Sequence, residues 1–329
     1  MRTLKKISVT TCVLGLLITT LTGCGGGAAE TSKETQVAKG QEGKPKVAVV
    51  LKTVSSQYWK FVEAGAKKAF QDLGVEGTVV GPASESQIME QVNMMEDVLN
   101  QKPDALVVAP TQPATAIPVF DRYKQAGIPV LLVDSDANWT DKTAFIGTDN
   151  TTAGKTGGEA LAKMLKKGDK VALIAGALGN PATDERIKGA KEALTSAGMV
   201  IAAEQPADSD KDKAMSVMEN MLQTNPDIKG VFSANDDMAI GALRAVTAKG
   251  LDIKVIGTDG TIEAVESILS GKLAGSVAQS PYNMGYKGVE NAVKAIKGEA
   301  VEKRIDSGVE MITKENAQKK LEFLKSISK

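Results

Sequence analysis

From Lys46 onward the chain alternates short apolar runs rich in β-formers with longer stretches at helical spacing, and it does so twice. KVAVVL is followed by QYWKFVEAGAKKAFQDLG, ALVVAP by PATAIPVFDRYKQAG, and then comes IPVLLVD. A parallel strand pair needs a crossover long enough to return the chain to the same edge, so this alternation predicts parallel strands joined by helices. The apolar runs are continuous, as strands covered on both faces require. Gly74, Gly127, Gly198 and Gly250 stand where helices should end in a left-handed cap. After AFIGTDN the rhythm restarts with KVALIAG, ERIKGAKEALTSAG, MVIAAEQPAD, KAMSVMENMLQ, IKGVFSAND, IKVIGTDG and LAGSVAQS. The fold class read from this pattern is α/β, with two doubly wound parallel-sheet lobes.

The runs VLLVD, VFSAND, VIGTDG and SVAQS each leave a polar residue near the carboxyl end of a strand. In open α/β sheets ligands collect outside those ends, so these residues are expected to line one cleft.

The amino-terminal segment carries Arg2, Lys5 and Lys6, then an apolar run from Ile7 to Leu21, the layout of a secretion signal. That run is short for a bilayer span. It ends in Leu21-Thr22-Gly23-Cys24, similar to the lipobox at which lipoproteins are cleaved before a lipidated cysteine. Residues 1–23 are therefore read as a leader, Cys24 as the lipid-bearing residue, and residues 24–45 as a flexible polar tether. The location implied is extracytoplasmic, at the cell membrane. Cys12 leaves with the leader, so no internal disulfide is available and stability must come from packing. About 285 residues then remain, enough for two ordinary domains.

The 40 basic residues fall to 37 against 40 acidic ones when Arg2, Lys5 and Lys6 are removed, which gives no reason to expect nucleic acid as partner. The chain holds no histidine, so a Ser-His-Asp triad is excluded and the commonest metal ligand is missing. No cofactor and no metal are expected.

VAVVLKTVSSQYW, IPVLLVD, GNPATDERIKGA, EQPADSDKDKAMSVMENML, VFSANDDMAIGALRA, VIGTDG, KLAGSVAQSP and GYKGVE resemble, in order, segments of the ribose- and allose-binding proteins of bacterial ABC importers. The resemblance runs from about Lys46 to the carboxyl terminus. It implies a monomer of the type I periplasmic binding protein fold, shared with lactose-repressor-type sensor domains, whose DNA-reading headpiece is replaced here by the leader and tether. It implies three crossings between lobes, near Thr148–Asn150, Gln279–Pro281 and Asp306–Glu310. One lobe would comprise residues 46–148 plus 280–307, the other 149–279 plus 308–329. The implied partners are a monosaccharide, an ABC permease and a separate ATPase, since this chain has no Walker-type Gly-x-x-x-x-Gly-Lys-Ser/Thr loop.

A monosaccharide offers hydroxyls around its rim and two partly apolar faces, so its site calls for bidentate polar groups and aromatic rings. Tyr58 and Trp59 match the family's sugar-packing pair, the alternative being core residues; Lys52 and Ser56 flank them, with a solvated surface lysine as the alternative for Lys52. Asp134 and Asp259 end strands and are placed to grip neighbouring hydroxyls; turn capping is the alternative for Asp134, and capping of a helix from Thr261 for Asp259. Arg186 offers a rigid five-donor fork, unless it pairs on the surface with Asp184 or Glu185. Asn235 and Gln279 can donate and accept at once, although Asn235 also stands where a helix N-cap is needed. Asp208 and Ser209 match a position that usually carries an aromatic at its second place. Ser135 follows Asp134 where ribose-type proteins have arginine and allose-type ones lysine. Ser135 and Ser209 thus imply a roomier, less cationic pocket, open to pentoses or hexoses.

The expected mechanism is hinge closure around the sugar with no bond made or broken. The rivals are a sugar-sensing receptor with the same cleft, feeding a chemotaxis or kinase partner, and a glycoside hydrolase using Asp134 and Asp259, which would need one carboxyl of raised pKa.

Overall fold

The computed structural model describes residues 43–327. The leader, Cys24 and nearly all of the tether lie outside the described residues. The chain runs β1 (Lys46–Val50), α1 (Gln57–Leu73), β2 (Glu76–Val80), α2 (Ile88–Asn100), β3 (Ala105–Val108), α3 (Pro113–Gln125), β4 (Val130–Val133) and β5 (Ala144–Gly147). It continues with α4 (Asn150–Ala162), β6 (Lys170–Ala175), α5 (Pro181–Ser196), β7 (Val200–Pro206), α6 (Lys211–Thr224), β8 (Ile228–Ser233), α7 (Asp236–Ala248), β9 (Lys254–Asp259), α8 (Ile262–Leu269) and β10 (Gly275–Ala278). It closes with α9 (Pro281–Ile296), β11 (Arg304–Asp306), β12 (Glu310–Ile312) and α10 (Ala317–Ile327).

Two six-stranded sheets result, ordered β11-β5-β4-β3-β1-β2 and β12-β10-β9-β8-β6-β7. Each half repeats the order of a doubly wound sheet, in which the strands flanking the first lead away in opposite directions. All pairings are parallel except β12 against β10. The continuous apolar runs follow from two-sided cover. In β1, Val47 and Val49 enter the cluster beneath α1 and α9, whereas Ala48 and Val50 enter the cluster beneath α2 and α3. The second sheet is buried in a cluster of its own, which also takes in Phe61 from α1 of the first lobe. That ring is an apolar contact between the lobes, separate from the polar cleft.

Close helix crossings fix which face of each helix meets the cleft. A Cβ on Gly154 of α4 would collide with the Arg186 carbonyl, and one on Gly189 of α5 with the Thr151 carbonyl. Only reciprocal glycines let α4 and α5 approach so nearly, and this approach carries the amino-terminal half of α5, with Arg186, against the cleft.

Candidate functional site

The carboxyl ends of the two sheets face each other, and charged side chains from both meet there. Lys52, just past β1, is 2% exposed. Its Nζ donates to Asp134 Oδ1 at 2.8 Å and to Asn180 Oδ1 at 3.4 Å, and lies 5.5 Å from the centroid of the Trp59 ring, in cation–π range. Tyr58 and Trp59 occupy the first turn of α1, buried and set edge to face with centroids 5.1 Å apart. The Tyr58 hydroxyl donates to Asp134 Oδ2 at 2.8 Å, and Trp59 Nε1 donates to Glu85 Oε1 at 2.9 Å.

Arg186 approaches from the second lobe and is 3% exposed. Its Nε donates to Asn150 Oδ1 at 2.8 Å and Nη1 to the Ala234 carbonyl at 3.0 Å, which locks the guanidinium plane. The fork then lies 3.6 Å from Asp259 Oδ1 and 3.9 Å from Asp134 Oδ2. Both aspartates hold a positive φ, 63° at Asp134 and 134° at Asp259. Such backbone strain costs on the order of 1–3 kcal/mol per residue and gathers where a side chain must be aimed.

The carboxyls are tuned apart. Burial raises Asp134, but Lys52 and Arg186 outweigh it and hold the group below the usual carboxylate range. Burial pushes Asp259 well above that range; Arg186 opposes the shift and Asp236 reinforces it. Burial also raises Glu85, against the pull of Lys52. Asp236, one layer deeper, accepts from the Thr261 amide at 2.8 Å and from the Ser276 hydroxyl at 2.6 Å, and burial raises it to about 7.

The space these groups enclose is about 20 Å³, measured as the volume that the centre of a water molecule can sweep. That suffices for about one water, so a ring of a dozen heavy atoms enters only if the lobes part and the Lys52 and Arg186 contacts are exchanged for contacts to it.

Residues 47–300 match the periplasmic binding protein domain family. The ribose import binding protein of Salmonella typhimurium is 34% identical over 273 residues, covering 83% of this chain and 92% of that one. The chain belongs to the periplasmic binding protein family. The D-allose-binding periplasmic protein of Escherichia coli is 34% identical over 261 residues, covering 76% of this chain and 84% of that one. Among solved structures, a carbohydrate transporter solute binding protein from Agrobacterium radiobacter, in complex with D-arabinose, matches with a TM-score of 0.82 at 32% identity, covering 86% of this chain and 99% of that one.

In this periplasmic binding protein, Lys52, Ser56, Tyr58, Trp59, Asp134, Arg186, Ser209, Asn235 and Asp259 line the enclosed space. Lys52 is no surface lysine, Arg186 turns inward from Asp184 and Glu185, and α8 is capped by Thr261 and not by Asp259. Asn235 does both jobs: it lines the space while its Oδ1 accepts from the Met238 amide at 2.8 Å. Three of the expected residues stand elsewhere. Ser135 is fully buried behind Asp134, its hydroxyl donating to Asp134 Oδ1 at 3.2 Å, so its small size does not widen the pocket. Gln279 sits beneath Asp259, donating to Oδ1 at 2.7 Å. Asp208 does not line the enclosed space and pairs with Lys213 at 2.9 Å.

Sequence reasoning missed Glu85, Ala182 and Thr183 on the wall. Glu85 lies in the loop between β2 and α2, where it accepts from the Trp59 indole. Asn180 was missed as well: it is fully buried beside Lys52, and its Nδ2 meets no acceptor among the described residues.

Proposed function

We propose that this chain captures one free monosaccharide between its lobes and hands it, unaltered, to an ABC permease driven by a separate ATPase. The lobes, residues 46–148 with 280–307 and residues 149–279 with 308–329, would swing about the crossings at Thr148–Asn150, Gln279–Pro281 and Asp306–Glu310. The observation that carries this reading is the meeting of Lys52 and Asp134 of one lobe with Arg186 and Asp259 of the other. Neither half of the site is complete alone, so ligand binding and closure are one event. The ribose, allose and arabinose named for relatives set the expected ligand class, a pentose or hexose, with Lys52, Ser56, Tyr58, Trp59, Asp134, Arg186, Ser209, Asn235 and Asp259 as its contacts.

The proposal places the protein outside the cytoplasm, held at the membrane by lipid on Cys24. The basic, apolar and small-residue order of residues 1–24 supports this. Radiolabelled palmitate incorporation lost in Cys24→Ala tests the anchor. A thermal-shift screen of free pentoses and hexoses tests the capture, since a ligand bound only by the folded state raises the melting temperature. Release of the sugar unmodified supports it; turnover of aryl glycosides contradicts it.

A further inference from the structure

The enclosed space is not the whole of the cleft. On its solvent side lies a second hollow of about 390 Å³ on the same measure, floored and walled by both lobes. Ser56, Glu85 and Ser209 line both hollows, so the two adjoin at these side chains. The partition is thin: two of the three are serines, Ser56 from the first lobe and Ser209 from the second. From this continuity we infer that the cleft also accepts its sugar carrying a polyhydroxylated substituent, a second sugar unit, which leaves the inner space past Ser56, Glu85 and Ser209 and lies in the outer hollow. The inference rests on the capture reading and deepens it.

The chemistry of the outer walls selects that substituent. Most of the charged groups there are already engaged: Lys211 pairs with Asp237 at 3.6 Å and with Glu263, Asp208 pairs with Lys213 at 2.9 Å, and Asp210 accepts from the first amides of α6, while Lys60 stands exposed on the wall. What the walls present between these pairs is hydroxyl and amide, from Thr53, Ser55, Ser84 and Gln57. Such groups exchange hydrogen bonds with sugar hydroxyls without stranding a charge. The Gln57 Oε1 accepts from the Ile262 amide at 2.6 Å, which joins the two walls of the hollow across the lobes. Closure therefore shapes the outer hollow as well as the inner one.

Calorimetry with free monosaccharides, their methyl glycosides and the matching disaccharides tests this, with Ala83→Trp as the variant, since Ala83 lines only the outer hollow. At least one disaccharide of the bound monosaccharide is expected to bind within about tenfold of it, and Ala83→Trp is expected to weaken that disaccharide by about tenfold or more while the free monosaccharide keeps its affinity. The inference is overturned if the free monosaccharide binds but every substituted form is weaker by about a hundredfold, or if Ala83→Trp leaves the disaccharide unaffected. Binding of no sugar of either kind overturns the capture reading and this inference with it.

Discussion

Arg186 of the second lobe and Asp134 of the first stand 3.9 Å apart across the cleft, and the same guanidinium lies 3.6 Å from Asp259. One planar cation thus serves two carboxylates from different lobes, an arrangement that a lysine cannot reproduce from a single point charge. Arg186→Lys keeps the charge but loses the fork. Monosaccharide affinity measured by calorimetry is expected to fall by about 2 kcal/mol, or roughly thirtyfold, with an unchanged circular dichroism spectrum.

Gln279 links the site to the hinge. Its Nε2 donates to Asp259 at 2.7 Å, its Oε1 accepts from Thr148 at 2.7 Å, and Thr148 and Ser307 share a hydrogen bond of 3.0 Å. All three crossings are therefore joined to one cleft carboxylate. Gln279→Leu removes the only side-chain amide in this relay and leaves a buried acceptor unmatched. Affinity is expected to drop by about 1–3 kcal/mol, although Gln279 does not line the cavity. Unchanged affinity in calorimetry would show that the relay carries no coupling.

The alternation of apolar runs exposed both sheets in the sequence, because burial on two faces forces continuous hydrophobic strands such as Val130–Val133. The cleft aspartates were legible for a related reason: a polar residue that ends a buried strand has few other uses. Ser135 and Gln279 contact the aspartates and do not line the enclosed space, because sequence adjacency to Asp134, or position at a crossing, does not say whether a side chain faces the cavity or the residue behind it. Asp208 and Ser209 share a left-handed turn, φ 52° and 58°, yet only Ser209 reaches the enclosed space, a difference the sequence does not reveal. Glu85 left no trace in any periodic pattern, since loop conformation and not strand register brings it to Trp59.

The α4–α5 crossing should be intolerant of a single methyl. Gly189→Ala puts a Cβ into the Thr151 carbonyl, and backbone cannot yield as a side chain tip does. Overpacking of this kind costs about 1–3 kcal/mol. A lower denaturation midpoint is expected, with weaker sugar binding as Arg186 is displaced.

Asp236 gives a pH signature. In the fold it holds its proton up to about 7, whereas the unfolded chain releases it near 3.8, the ordinary value for an aspartate. Between those limits the native state binds the extra proton, so its contribution to stability is full below the lower limit and is lost as pH rises through the upper one. The slope from this group is at most about 1.4 kcal/mol per pH unit. Asp236→Asn should flatten the decline of melting temperature between those pH values; an unaltered profile contradicts the assignment.

The most direct test of the two-lobed clamp is small-angle scattering during titration with the monosaccharide that gives the largest thermal shift. One sugar per chain is expected to bind with a dissociation constant of micromolar order, about 8 kcal/mol, while the radius of gyration shrinks as the lobes close. Saturation with no change in dimensions, or a stoichiometry other than one, would contradict capture between the lobes.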